Sequence, residues 1–225
     1  MEPVGADGYL RFMPQLSADQ ALIFRITHIR NVPWLLAQGI CCRGHAAVDP
    51  GFVEIGNPDL IARRASRSVP VGPGGNLTDY VPFYFTPFSP MLYNILTGYH
   101  GITKRDAGEI VILVGNLRQV VAQGLPAVFT DRHAFLRTAR FFSDLNDLDQ
   151  VDWPLLQSRD FRRDPEDPGK IERYQAEALV HGRLPASSLV GIACADQRAE
   201  GELKAMIAHA GTDLPTAVRP GWYFR

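Results

Sequence analysis

Glu177 stands inside the run Ala176–Val180, whose other members are all apolar. Burying a carboxylate is costly unless it is paired or used. Held in a rigid strand, a carboxylate can stabilise a developing cation, as glycosidase carboxylates do. The ordinary alternative is the solvent face of a half-buried strand, and the run alone leaves both readings open. Arg63, Arg64 and Arg67 place three cations on one short segment with no acid between Asp59 and Asp79. Such a cluster suits a phosphate, although a solvated helix face is its commoner origin. Arg25-Ile26-Thr27-His28 sets polar groups at the end of an apolar strand, and Thr130-Asp131-Arg132-His133 directly follows another. Histidine titrates near neutrality, while a lone His at a strand end is more often structural.

Other chemistry is missing from the chain. There is no G-x-x-x-x-G-K-[ST] phosphate loop, no H-E-x-x-H and no G-x-S-x-G elbow. Gly72, Gly74 and Gly75 do not form a dinucleotide fingerprint, and the six histidines are scattered. No metal site is expected.

The elements that must hold these residues are short and mixed. Leu22–Ile26 reads as a strand ending at Thr27-His28. Asn31 reads as a helix N-cap before Pro33 and Trp34–Leu36, with Gly39 as the stop. A helix is expected from Asn57-Pro58-Asp59 through Arg64, and a loop over residues 70–76. Tyr80–Phe85 is aromatic and β-prone, but Pro82 predicts an edge strand or a bulge. Ser89-Pro90 opens a helix through Ile95, Ile110–Val114 is the clearest buried strand, and Leu117–Gln123 is a helix stopped by Gly124. Ala127–Phe129 is a strand. Residues 130–173 are rich in charge with few strand signals, and long irregular segments are often functional. Strands follow at Gln175–Val180 and Leu189–Cys194, then a helix at Gln197–His209 and short strands around Ala217-Val218 and Trp222–Phe224. Short strands mixed with short helices predict an α+β fold. The expected organisation is an extension over residues 1–20 and one domain over 21–225.

The 225 residues are 46% hydrophobic and 21% charged, which argues against a disordered or fibrous chain. No apolar run approaches the roughly 20 residues of a membrane span, and no signal peptide is visible, so no membrane association is expected. A net charge of -1 excludes a generally basic nucleic-acid coat but not a local groove. Three cysteines are too few for a disulfide scaffold and predict a reduced, cytoplasmic protein.

The combination is more specific than its parts. Arg25–Asn31, Asp79–Phe85, Ser89–Leu92, Phe129–His133, Asp160–Pro165, Glu172–Glu177 and Gly221–Phe224 resemble stretches of the DarT family, DNA ADP-ribosyltransferase toxins paired with a macrodomain antitoxin. The resemblance implies an ADP-ribosyltransferase-like split β core of two small sheets, surrounded by short helices, that grips NAD in a cleft. It implies transfer of ADP-ribose from NAD to the base N3 of thymidine, within a short motif of single-stranded DNA, releasing nicotinamide. Glu177 matches the catalytic glutamate and Arg64 the catalytic arginine. Arg25, Ile26 and Thr27 match the nicotinamide strand, and residues 51–69 the element that folds over NAD. Trp34, Arg64 and Tyr84 are further expected NAD contacts. The first position of the nicotinamide strand is Arg25, where similar members carry His; the strand backbone can still bond the carboxamide.

Residues 133–177 match the substrate-recognition loop. Arg159, Arg162, Arg163 and Arg173 are expected to contact DNA, with Tyr174 or Phe161 as a stacking face. Arginine is a poor base, since its pKa exceeds about 12, so Arg64 is read as stabilising the base anion, and His133 is the second candidate for work on the base. Alternatives are the same fold with guanine, RNA or protein as acceptor, or an inactive nucleic-acid-binding homologue.

Overall fold

The computed structural model describes residues 15–224. The chain runs through β1 (Leu22–His28), α1 (Val32–Gln38), β2 (Ile40–Cys41), α2 (Pro58–Arg64), β3 (Tyr80–Tyr84) and α3 (Pro90–Thr97). Next come β4 (Ile110–Asn116), α4 (Leu117–Ala122), β5 (Ala127–Thr130), β6 (Phe141–Phe142), α5 (Trp153–Ser158) and α6 (Lys170–Arg173). β7 (Glu177–His181), β8 (Arg183–Leu184), β9 (Leu189–Cys194), α7 (Gln197–His209) and β10 (Thr216–Val218) complete it. The fold is α+β, as expected. Eight strands form one sheet in the order β10-β9-β4-β1-β3-β7-β5-β6, while β2 and β8 form a small second one.

The large sheet is nevertheless split. β1 pairs with β4 along its whole length, from Leu22↔Asn116 to His28↔Ile110. β3 pairs with β7 from Tyr80↔His181 to Tyr84↔Glu177. Between the halves, β1 and β3 pair at one position, Phe24↔Tyr84. Continued toward the end of β1, that register would set Ile26 against Pro82, which has no N–H to give. The Pro82 carbonyl is taken instead by the Arg25 guanidinium at 2.9 Å. Pro82 thus lies inside the sheet and not on an outer edge, but it faces a seam where the ladder has stopped.

Local chemistry sets the flanking helices. Asn57 caps α2 by accepting from Asp59 and Leu60 N–H, with Pro58 in the first turn. Ser89 caps α3 through Leu92 N–H, again before a proline. Ala199, Leu203 and Ile207, at helical spacing, are buried on one face of α7. The strand β4 is buried throughout, and both halves of the sheet share one apolar core.

Four expectations change. Asn31 does not cap α1 through its side chain; its carboxamide reaches across the fold. Nδ2 donates to Thr27 Oγ1 and to Val53 O, both at 3.0 Å, and Oδ1 accepts from Val53 N at 2.8 Å. Residues 130–173 are ordered, with β6, α5 and α6 inside them. Trp222–Phe224 is not a strand: Pro220–Trp222 forms a 3-10 turn, and Tyr223 Oη donates to the Ile110 and Ala193 carbonyls. Of the expected extension, residues 1–14 lie outside the described residues, whereas Leu16 is buried and its N–H donates to Gln157 at 2.9 Å. Among the described residues no helix is long and apolar enough to cross a membrane.

Asn31→Ala strands the Val53 N–H and the Thr27 hydroxyl together. The variant should lose about 1–3 kcal/mol of unfolding free energy in chemical denaturation, and an unchanged midpoint would show that water replaces the clamp.

Candidate active site

β7 lies one strand beyond the seam, and its first residue is Glu177, cross-strand partner of Tyr84, which itself pairs with Phe24 across the seam. Only 3% of the Glu177 side chain is exposed. Its carboxylate accepts a two-pronged bond from Arg64, Nη1 to Oε1 at 3.1 Å and Nη2 to Oε2 at 2.8 Å. A third donor, Ala134 N–H, meets Oε1 at 2.9 Å. The Glu177 backbone N–H donates to Thr130 Oγ1 at 3.1 Å, and that hydroxyl donates to Arg132 O at 2.6 Å. The glutamate is therefore held at both its backbone and its head group.

Burial works against the charge on Glu177. Arg64 and the Ala134 N–H outweigh it and hold the carboxyl below the usual carboxylate range. Burial likewise opposes the Arg64 charge, and Glu177 more than restores it, so the guanidinium stays above its ordinary value. His133 shifts the other way: burial, opposed by Glu177, keeps its imidazole below the ordinary histidine value. His133 Nδ1 accepts from Phe135 N–H at 3.2 Å, which fixes the neutral tautomer with its proton on Nε2. Burial and then Glu177 push the Tyr84 phenol well up, so it remains a donor. Burial, partly offset by Glu54, pulls the Arg25 guanidinium down to about 10.

The rest of the arginine cluster is spent on the protein itself. Arg67 donates to Ala134 O at 3.3 Å and Leu136 O at 2.9 Å, and the Arg63 guanidinium lies 4.9 Å over the Phe135 ring. The helix α2 therefore clasps the segment that presents His133 and the Ala134 N–H. Among the described residues no group of His, Cys, Asp and Glu is arranged to hold a metal ion.

Residues 24–224 match the family model described as "ssDNA thymidine ADP-ribosyltransferase, DarT". The chain belongs to the DarT family. It is 50% identical over 213 residues to a DNA ADP-ribosyl transferase of Escherichia coli O127:H6, covering 95% of this chain and 98% of that protein. The solved structure of Thermus sp. 2.9 DarT with ADP-ribosylated ssDNA is similar at a TM-score of 0.85 and 35% identity, over 96% of this chain and 100% of that one. The same Thermus protein with NAD+ is similar at 0.81 and 34%, over 92% and 98%.

Within this DarT chain the expected site residues divide. Glu177, Arg64 and His133 come together, with Tyr84 and Arg25 beside them. Thr27 is buried and tied to Asn31, and Ile26 is buried in the core. Trp34 stands apart: its indole N–H bonds the Ala47 carbonyl at 3.1 Å, and its ring lines an apolar groove with Ala205, Met206 and His209. Of the expected DNA contacts, Arg162 is exposed but paired with Asp160, Arg163 is exposed, and the Arg159 guanidinium lies 4.1 Å over the Phe88 ring. Arg173 instead braces its own segment, bonded to Asp152 and Asp167. Tyr174 has no exposed surface, so its ring cannot receive a base. Sequence reasoning missed Thr130, Ala134 and the bracing by Arg67. Thr130 was visible only as a polar residue closing an apolar strand, and a backbone N–H leaves no mark in sequence.

The depressed Glu177 carboxyl stabilises the fold above the unfolded glutamate range, about pH 4.3. That contribution disappears as pH falls from there through the lower folded value. Acid unfolding of Glu177→Gln should lack this limb, and acid curves superimposable on the parent's would show that the carboxylate is not ionised by its partners.

Proposed function

We propose that this protein cleaves NAD and transfers ADP-ribose to N3 of a thymine in single-stranded DNA, with Glu177 and Arg64 at the reacting centre and His133 against the base. The observation that carries the reading is one buried, ionised carboxylate fixed at the seam of a split sheet. NAD is consumed as a substrate. The ribose–nicotinamide bond breaks with its electron pair leaving on nicotinamide, the thymine N3–ribose bond forms, and the N3 proton is released. Positive charge builds on the ribose during this exchange, and an ionised Glu177 carries the opposite charge needed to stabilise it. The residues beside the seam fit NAD: Arg25 and Tyr84 are donors for the nicotinamide end, and Arg64, the last residue of α2, is a cation for the sugar and phosphate end.

Neither candidate for the base proton is a ready proton acceptor. Arg64 is held more firmly charged than usual by Glu177. His133 has its Nδ1 lone pair occupied, so its Nε2–H is a donor. Both are suited to stabilising the anion that thymine becomes, His133 by donating to a base carbonyl and Arg64 by its charge. DNA approach is assigned to Arg159, Arg162 and Arg163 on the segment leading to Glu177, while Arg173 and Tyr174 hold that segment in shape. The product is a glycosidic bond, so the matching partner is a macrodomain antitoxin that hydrolyses it. Three free cysteines among the described residues are compatible with a reducing cytoplasm.

The test is incubation with NAD and matched oligonucleotides: one containing thymidine, the same strand annealed, and one without thymidine, each read by mass spectrometry. The single strand should gain one ADP-ribose on thymine N3 and the annealed strand little, because a paired base must first be freed at a few kcal/mol. Modification of guanine, of RNA or of the protein instead would replace the proposed acceptor. Glu177→Gln should lower the rate by about 10²–10³. Arg64→Lys should lower kcat with NAD affinity little changed, because lysine lacks the planar fork; a pure NAD-affinity defect would make Arg64 a phosphate clamp.

A further inference from the structure

Outside the cleft, the outer side of α3 carries an unusual number of rings. Tyr93 is 37% exposed and Tyr99 55%. The inner side of Tyr93 is packed, with ring centroids 5.5 Å from Phe224, 6.1 Å from Phe161 and 6.3 Å from Tyr99. Phe224 in turn contacts Phe88 at 6.2 Å, over which the Arg159 guanidinium lies at 4.1 Å. The rings therefore form one connected band from Tyr99 to Arg159. Partly open rings braced from behind make one contiguous apolar patch, the kind of surface that marks an interaction site.

Backbone strain collects at its two ends. The described residues include three non-glycine residues with positive φ, and two of them, His100 at 57° and Arg159 at 55°, lie here. The His100 ring lies against Tyr99, tilted, with centroids 4.1 Å apart. Holding such residues in the left-handed region costs energy that surrounding structure must supply, and such positions cluster at functional sites.

The band is also joined to the chemistry along the chain. Phe88 lies four residues beyond Tyr84 on the same chain run. Phe161 contacts Tyr174 at 5.6 Å, three residues before Glu177. We propose that this band, with Tyr93 and Tyr99 as its open rings and Arg159 at its end, is a stacking track for nucleotides flanking the target thymidine in single-stranded DNA. Bases present π faces to aromatic rings whatever their sequence, and an arginine at the end of the track adds cation–π contact and phosphate pairing. The inference rests on single-stranded DNA being the acceptor and adds where the rest of the strand lies.

The test uses the full chain, NAD, and thymidine oligonucleotides of increasing length, with KM for DNA and kcat measured for each. For the parent protein KM should fall as the strand grows long enough to reach the band. Tyr93→Ala and Tyr99→Ala should erase that gain, raising KM for long strands roughly ten-fold per ring, with KM for the shortest modified strand and NAD affinity unchanged. Tyr93→Phe and Tyr99→Phe should restore it, because stacking needs the ring and not the hydroxyl. Length dependence retained in folded alanine variants overturns the track, and so does equal loss on short and long strands. A parent protein that modifies no thymidine oligonucleotide refutes the acceptor, not the band alone.

Discussion

Pro82 has no N–H to offer its neighbour, and the β1–β3 ladder accordingly makes a single pair before it stops. Two four-stranded halves that would otherwise be one continuous surface are held together by the shared core and by the Arg25 side chain bonding the Pro82 carbonyl. The edges facing the gap supply what a cleft needs: a strand backbone relieved of one ladder and a phenol at Tyr84, whose partner on the next strand is Glu177. The site depends on this interruption, because a completed ladder would leave Glu177 on an unbroken sheet with no gap beside it.

Within the gap, charge is arranged by mutual compensation. Glu177 is deep enough that its ionisation would be unfavourable alone, and Arg64 is deep enough for the same to hold of its cation. Each makes the other tolerable, and the Ala134 N–H completes the carboxylate's shell. Because Arg67 and Arg63 fasten α2 to residues 134–136, the helix and the loop that meet Glu177 form one unit.

Much of this was legible in the sequence, for definable reasons. Asn57-Pro58 and Ser89-Pro90 announced their helices through local capping, and the apolar run Ile110–Val114 announced a buried strand. Pro82 announced an interruption, although from one chain its effect reads as an outer edge and not as an internal seam. The glutamate in an apolar run and the arginine cluster pointed to the right segments. How the cluster divides, with Arg64 on Glu177 and Arg67 on carbonyls, depends on contacts 67 to 113 positions apart that no local pattern encodes. Asn31 shows the same limit: its position before a helix favours a cap, and a segment 22 residues away claims the side chain. Tyr174 was misjudged because aromatic character gives no indication of which way a ring faces.

The depth of Glu177 has a consequence for what attacks the sugar. A carboxylate with 3% of its side chain exposed has little liquid water against it, and in the proposed reaction the same holds for the cation beside it. Water is the nucleophile every glycosyl transfer must outcompete, since it is present at vastly higher concentration than any base. Closing the carboxylate in on three sides turns that contest into one of access, where a flat ring presented through the seam has an advantage that a mobile solvent molecule lacks. On the proposed mechanism, the partition of each NAD between a marked base and wasted hydrolysis turns on the enclosure that Arg64 and the Ala134 segment give Glu177, a property of the protein's shape more than of the intrinsic reactivity of thymine.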